Sequence, residues 1–241
     1  MRFSIVLLVG SLAAATASAQ LPEPLSSALT QATDTPTYVF DIERTSTSTG
    51  DDGETLSAYA RVDLNAPELK QITPAHLIDP AQPGSSFRGL ANIENAIEDG
   101  IWCARFAEDV PTDPDDIEVV AEDEASVTYK FKPAIGEDAE GPEKKIARRT
   151  EALLTVSKVD PAILSYARSL TRTVTVFVVA KIKKANTVVE CERAPNGLTY
   201  TRQVISEFEA SGFGDGGANT SDMRITALYD PSTGQRITPD S

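Results

Sequence analysis

From residue 37 onward, apolar and polar positions alternate with a period of two. Tyr38, Phe40 and Ile42 fall on one side of an extended chain, while Asp41 and Glu43 fall on the other. Leu56, Ala58, Ala60, Val62 and Leu64 then alternate with Ser57, Tyr59, Arg61 and Asp63. The intervening residues 46–53 are rich in Thr, Gly and Asp. That pattern predicts two half-buried antiparallel strands joined by a hairpin loop. Further strands are predicted over 117–120, 125–131, 146–157, 162–170, 173–183, 187–193, 198–209 and 223–229. The clearest is 173–183, which places Val174, Val176, Val178, Ala180 and Ile182 on one face. A helical period shows in two places. Leu25, Leu29 and Ala32 mark a helix over 21–33, with Pro22 and Pro24 where a first turn tolerates them and Pro36 as its stop. A second helix, capped by Ser85 or Ser86, carries Phe87, Leu90, Ile93 and Ile97 on one face and ends near Gly100. Residues 68–85 read as a short strand and then loop, and 109–116 and 133–143 as charged, exposed loops.

Strands that follow strands without crossover helices exclude a βαβ fold. The expected class is mainly β (α+β): a strongly curved antiparallel sheet, half-barrel or barrel, with two or three covering helices. Neither an internal repeat nor a linker divides residues 20–241, so one domain is expected. Some strands are apolar on both faces, as in Leu153–Leu154, Val188–Val189 and the run Phe177, Val178 and Val179 after Val174. A sheet face against water should be polar, so these doublets call either for a packed two-layer core or for a ligand or partner on the second face.

The N-terminus reads as a secretory signal. Met1 and Arg2 give a short positive start, Ile5 to Val9 and the Ala-rich residues after them an apolar run, and Ala17-Ser18-Ala19 a small-x-small cleavage site. Cleavage after Ala19 leaves Gln20 first and locates the chain in the periplasm. The apolar run is too short for a stable anchor, no Cys follows the site for lipid attachment, and no later segment is apolar and long enough to span a bilayer. Acidic residues outnumber basic ones by 36 to 22, for a net charge of −14, which repels nucleic acid and anionic surfaces.

Counting excludes most catalytic constellations. His76 is the one histidine and lies between prolines, no G-x-S-x-G elbow is present, and a zinc site would need more His or Cys. Gly212, Gly214, Gly216 and Gly217 lack the G-K-[ST] ending of a phosphate loop and read as a hairpin connection. Asp109, Asp113, Asp115 and Asp116 could gather around calcium, but they lack the EF-hand glycine and closing glutamate. The two cysteines, Cys103 and Cys191, form an even pair. In an oxidising compartment that implies a structural disulfide, the rival being two separate buried thiols. No cofactor or metal is called for, and the chain reads as a non-enzyme.

The stretch Ala152-Leu153-Leu154-Thr155-Val156-Ser157-Lys158-Val159-Asp160-Pro161 resembles one found in small exported alphaproteobacterial proteins. Tyr38-Val39-Phe40, Leu198-Thr199-Tyr200-Thr201-Arg202, Ser206-Glu207-Phe208-Glu209 and Met223-Arg224-Ile225 fit the same layout. The general plan is similar to the LolA/LolB-like lipoprotein-carrier superfamily, in which a curved antiparallel sheet holds an acyl chain under helices. The resemblance implies a partner that is a lipid, acyl chain or lipoprotein. On that reading Val174, Val176, Val178, Ala180 and Ile182 face an apolar cavity whose cover includes Leu90, Ile93 and Ile97. The alternative is a protein-interaction module of the cell envelope with no small ligand.

Overall fold

The computed structural model describes residues 21–30, 38–49, 53–67, 70–97, 100–136, 140–176, 180–212 and 217–237. The strands are β1 (Val39–Ser48), β2 (Thr55–Val62), β3 (Ile72–Pro74), β4 (Ile117–Glu122), β5 (Ser126–Phe131), β6 (Thr150–Ser157), β7 (Ile163–Leu170), β8 (Val174–Thr175), β9 (Lys181–Arg193), β10 (Thr199–Ser211) and β11 (Gly217–Tyr229). All pairings are antiparallel, in the order β3-β2-β1-β11-β10-β9-β7-β6-β5-β4, with β8 on β9 alone. The first strand closes against the last, through Val39 opposite Tyr229 to Ser48 opposite Asn219. The end strands β3 and β4 do not meet, so the sheet is open. The expected mainly β, antiparallel class is what is seen; the closed barrel is excluded, and a half-barrel is compatible with it.

Register puts the period-two pattern to work. One row crosses the sheet through Tyr129, Leu154, Tyr166, Val189, Val204 and Met223, and all but the half-buried Val204 are buried. The adjacent row on the opposite face runs Lys130, Leu153, Ala167, Val188, Ile205 and Asp222. The apolar doublets therefore resolve into a core row and an aliphatic stripe one residue deep. Leu153 is 41 % and Val188 44 % exposed, and the stripe is bounded by charged side chains at both ends.

Helices α1 (Leu25–Leu29), α2 (Ala75–Ile78), α3 (Phe87–Ile97) and α4 (Gly141–Ala147), with 3-10 turns at Cys103–Asp109 and Pro114–Asp116, complete the described elements. The core has two main centres. Under α3, Ile93 and Ile97 pack with Phe40, Ile42, Ala60, Trp102 and Met223. Under α1 and the first 3-10 turn, Leu25, Ala28 and Cys103 pack with Tyr129, Leu154, Ile163 and Tyr166. Ser86 Oγ accepts from Gly89 N–H at 3.1 Å and starts α3, while Ser85 Oγ takes the Tyr59 N–H at 2.8 Å and so satisfies the edge of β2. Gly89 lets α3 approach, because a Cβ there would stand 2.9 Å from that of Ala58. Each centre removes several large side chains from water, and each such side chain contributes about 1.5–3 kcal/mol.

Several expectations change. The predicted strand over 173–183 is a tight hairpin: Val174 pairs with Ile182, Thr175 with Lys181, and Val176 N–H donates to Ala180 O at 3.0 Å. Val178 lies outside the described residues, as do residues 1–20, which include the expected signal peptide 1–19, and Gly214 and Gly216. The described members Val174, Val176, Ala180 and Ile182 still cluster after the chain turns back, so their grouping survives while the shape does not. The first helix is Leu25–Leu29 rather than 21–33 within what is described. Part of the predicted loop 133–143 and strand 146–157 is α4, with Pro142 in its first turn, Glu143 after it and Lys144 and Lys145 toward its end. Phe87, placed on the apolar face of α3, is 88 % exposed, so the buried face of α3 is carried by Ile93 and Ile97.

Candidate binding groove

The sequence-derived cavity set is split. Val174, Val176, Ala180 and Ile182 form a small cluster with Ile146, Leu170 and Ala185. Ile93 and Ile97, with the partly buried Leu90, belong instead to the core under α3. The two groups therefore do not wall one cavity. The reason is topological: the hairpin of β8 and β9 sits beside β10, whereas α3 lies across β1 and β2.

A larger hollow lies elsewhere. A groove of about 900 Å³ runs between the two 3-10 turns and the end of the sheet made by β4, β5 and β6. The register sets its walls, with Ile117 opposite Phe131, Glu118 opposite Lys130, and Lys130 opposite Leu153. Val110 and Phe131 form its buried apolar floor, with Ile117 partly exposed beside them. Six carboxylates line it, from Glu108, Asp113, Asp115, Asp116, Glu118 and Glu151, against the two ammonium groups of Lys130 and Lys132, a balance of −4 (−6 + 2). Lys130 is already held by Glu151 at 3.1 Å. Ala134 N–H donates to Asp109 O at 2.9 Å and ties the floor to the first turn.

The acidic loop is more ordered than its composition suggests. Asp113 Oδ1 accepts from Asp115 N–H at 3.0 Å and caps the second turn, so this carboxylate is occupied by backbone. Asp109 points the other way: it accepts the Tyr166 hydroxyl proton and lies 4.0 Å from Arg168. Among the described residues no group of three His, Cys, Asp or Glu side chains is placed to hold a metal ion. His76 sits in α2 with Nδ1 buried and without a hydrogen-bond partner among the described residues. Gly212 has a φ of +83° that favours glycine, a backbone reason for its place after β10.

In the core centre under α1, Phe106 stacks on Tyr166 with centroids 4.4 Å apart. Burial, reinforced by the Asp109 carboxylate, pushes the Tyr166 phenol well above the ordinary tyrosine range. Tyr200, bridged to Trp102, is pushed up to about 12 by burial and by Glu192, with Arg202 opposing. A folded-state pKa above the unfolded value of about 10 means that the folded chain holds its proton more tightly. The stabilisation is complete below that pH and is lost as pH rises through the folded value. We expect the urea midpoint to fall steeply between about pH 10 and 12, and Tyr200→Phe to flatten that fall. Equal slopes for the variant and the parent would show that Tyr200 ionisation does not drive it.

A second polar centre lies on the outer face beside β2. Asp41 accepts from Arg61 Nε at 2.7 Å and Nη2 at 2.9 Å, and from Tyr229 Oη at 2.6 Å, with the guanidinium 4.1 Å over the Tyr229 ring. The Asp41 carboxylate raises the Arg61 pKa, and its two oxygens take up the Arg61 fork and the Tyr229 hydroxyl. Cys103 and Cys191 form a disulfide with Cα atoms 6.4 Å apart.

No family model, curated protein or solved structure matches the chain.

The groove escaped the sequence reading because residues from 107–118, 130–134 and 151 meet only once the register is known. The available signal was the pairing of an acidic loop with a strand that carries Lys130 and is followed at once by Lys132.

Proposed function

We propose that the chain is an exported, non-catalytic binding protein of the bacterial periplasm that takes an extended cationic segment of another envelope protein into the groove beside β4. The observation that carries this reading is the groove's make-up, an apolar floor under a surplus of carboxylates. Lys or Arg side chains alternating with aliphatic ones match both, since the stems cover apolar surface while the heads meet the acidic rim. The adjoining β4 is an edge strand with Val119 and Val120 exposed, which offers backbone groups to an added strand. Export is supported by the N-terminal pattern and by the disulfide, which suits an oxidising compartment. Among the described residues no helix is long and apolar enough to cross a membrane.

The test is fluorescence anisotropy with a labelled peptide of alternating Lys and Leu. Neutralising the rim by Glu108→Gln, Asp115→Asn and Glu118→Gln together should weaken binding at least about tenfold and reduce its salt dependence. Neutralising Glu43, Glu94 and Glu190 elsewhere should change it far less. Equal losses in the two triple variants would leave only bulk charge attraction and remove the groove from the account. Saturable binding of an apolar fluorescent probe, displaced by a fatty acid but not by the peptide, would restore the carrier reading drawn from the lipoprotein-carrier resemblance.

A further inference from the structure

The net charge makes one place on the surface unexpected. Ten Lys or Arg residues of the described chain engage a carboxylate within 4 Å, and Lys132, Lys145, Arg148, Arg149 and Arg172 are among those outside these pairs. These five gather around two adjoining hollows of about 370 and 500 Å³ that share Arg148, Arg149 and Arg172.

The backbone fixes that meeting. Arg148 caps α4, and Arg149 N–H returns to Ile146 O at 2.8 Å. The Arg149 carbonyl then accepts both Thr171 N–H at 2.7 Å and Thr171 Oγ1–H at 2.8 Å, which holds the turn after β7, with Arg172, against the start of β6. Ile146 anchors α4 from below in the cluster of Val174 and Ile182. Cations near a helix C-terminus are favoured by its dipole, which accounts for Lys145 and Arg148. It does not account for Arg172, which comes from another turn, or for Arg149 Nη1, which is buried without a hydrogen-bond partner among the described residues. Three guanidinium groups that line the same two hollows repel one another, and a buried donor left unpaired is costly. An oxyanion relieves both, and the planar fork of arginine matches the oxygens of a phosphoryl group.

We propose that Arg148, Arg149 and Arg172, flanked by Lys145 and Lys132, form a binding site for a phosphoryl group, distinct from the acidic groove although Lys132 borders both. The group can arrive as a free phosphorylated solute or as a lipid headgroup, and two arms separate these sources. In the first, inorganic phosphate and glycerol phosphate are compared with chloride at constant ionic strength, reading the thermal midpoint of the full chain. In the second, the protein is sedimented with phosphatidylglycerol-containing vesicles and with phosphatidylcholine vesicles. Stabilisation by phosphate without vesicle binding assigns a free solute; phosphatidylglycerol-dependent sedimentation assigns a headgroup.

In whichever arm responds, Arg149→Gln with Arg172→Gln should weaken binding at least about tenfold. Lys183→Gln with Lys184→Gln, which removes two cations on β9, should leave it within about twofold. Should the arginine pair fail to fold, Lys145→Gln with Arg148→Gln gives the same readout from the other side of the hollows. The proposal is overturned by silence in both arms, or by arginine variants that fold and bind as the parent does. Neither result bears on the peptide experiment, whose variants lie outside this cluster.

Discussion

Removing the disulfide should cost the protein about 4–5 kcal/mol, the loop-closure value for a cross-link of this span in the chain-entropy treatment. Cys103 and Cys191 are 88 residues apart in the chain, so the reduced unfolded state regains a large loop. A domain of this size is stable by about 5–15 kcal/mol in all, which makes the bond a sizeable part of the total. Its location sharpens the expectation. Cys103 opens the 3-10 turn that shares a core centre with Leu25 and Ala28 of α1, and Cys191 lies on β9 in the middle of the sheet. Backbone contacts such as Thr201 N–H to Ile101 O at 2.7 Å and Ala134 N–H to Asp109 O at 2.9 Å hold the same segment. Cys103→Ala with Cys191→Ala should therefore shift the urea midpoint down strongly. It should also raise amide exchange first in residues 101–110 and 21–30, before the strands. A double variant within about 1 kcal/mol of the parent would show that the cover is held by packing alone.

How far the fold could be read ahead of the structure depended on whether a signal was local. The pairing of β1 with β2 was legible because alternation, a polar loop and a second alternation lie next to one another, and Ile42 does stand opposite Ala60. The same holds for Ile93 and Ile97, whose spacing needs only one helix. The hairpin in 173–183 was not legible. Its β-branched run carries no Gly, Pro or Asn to announce a turn, and alternation looks the same in one long strand and in two short ones folded together. Helix α4 had its markers, Pro142, Glu143, Lys144 and Lys145, but seven residues give too short a period to stand against a neighbouring strand pattern. Both proposed sites lay beyond sequence for a further reason. The groove joins three stretches, and the arginine cluster joins Arg149 to Arg172 through one carbonyl that accepts two hydrogen bonds from Thr171. Composition pointed away from the second site altogether, since a net charge of −14 gives no hint of a local surplus of cations.

The doublet Leu153–Leu154 supplies the other large effect. Leu154 is fully buried, opposite Tyr129 and Tyr166, whereas Leu153 stands on the other face, 41 % exposed, between Lys130 and Ala167. Leu154→Ala should cost about 2–5 kcal/mol, the transfer loss plus the cavity left in the core row. Leu153→Ala should cost under about 1 kcal/mol, because water already reaches the site. The aspartate versions widen the gap. Leu154→Asp places a carboxylate in the buried core row between Tyr129 and Tyr166, a penalty of several kcal/mol that should abolish cooperative unfolding. Leu153→Asp puts the same group beside Lys130 in water and should leave a folded chain with a nearly unchanged midpoint. The contrast also tests the stripe of Leu153, Ala167, Val188 and Ile205. A stripe one residue deep is far narrower than the patch a stable partner buries, so it should behave as ordinary surface. If Leu153→Asp destabilised the chain as severely as Leu154→Asp, that row would have to be covered in solution, and analytical ultracentrifugation of the parent protein would then have to show an assembly larger than one chain.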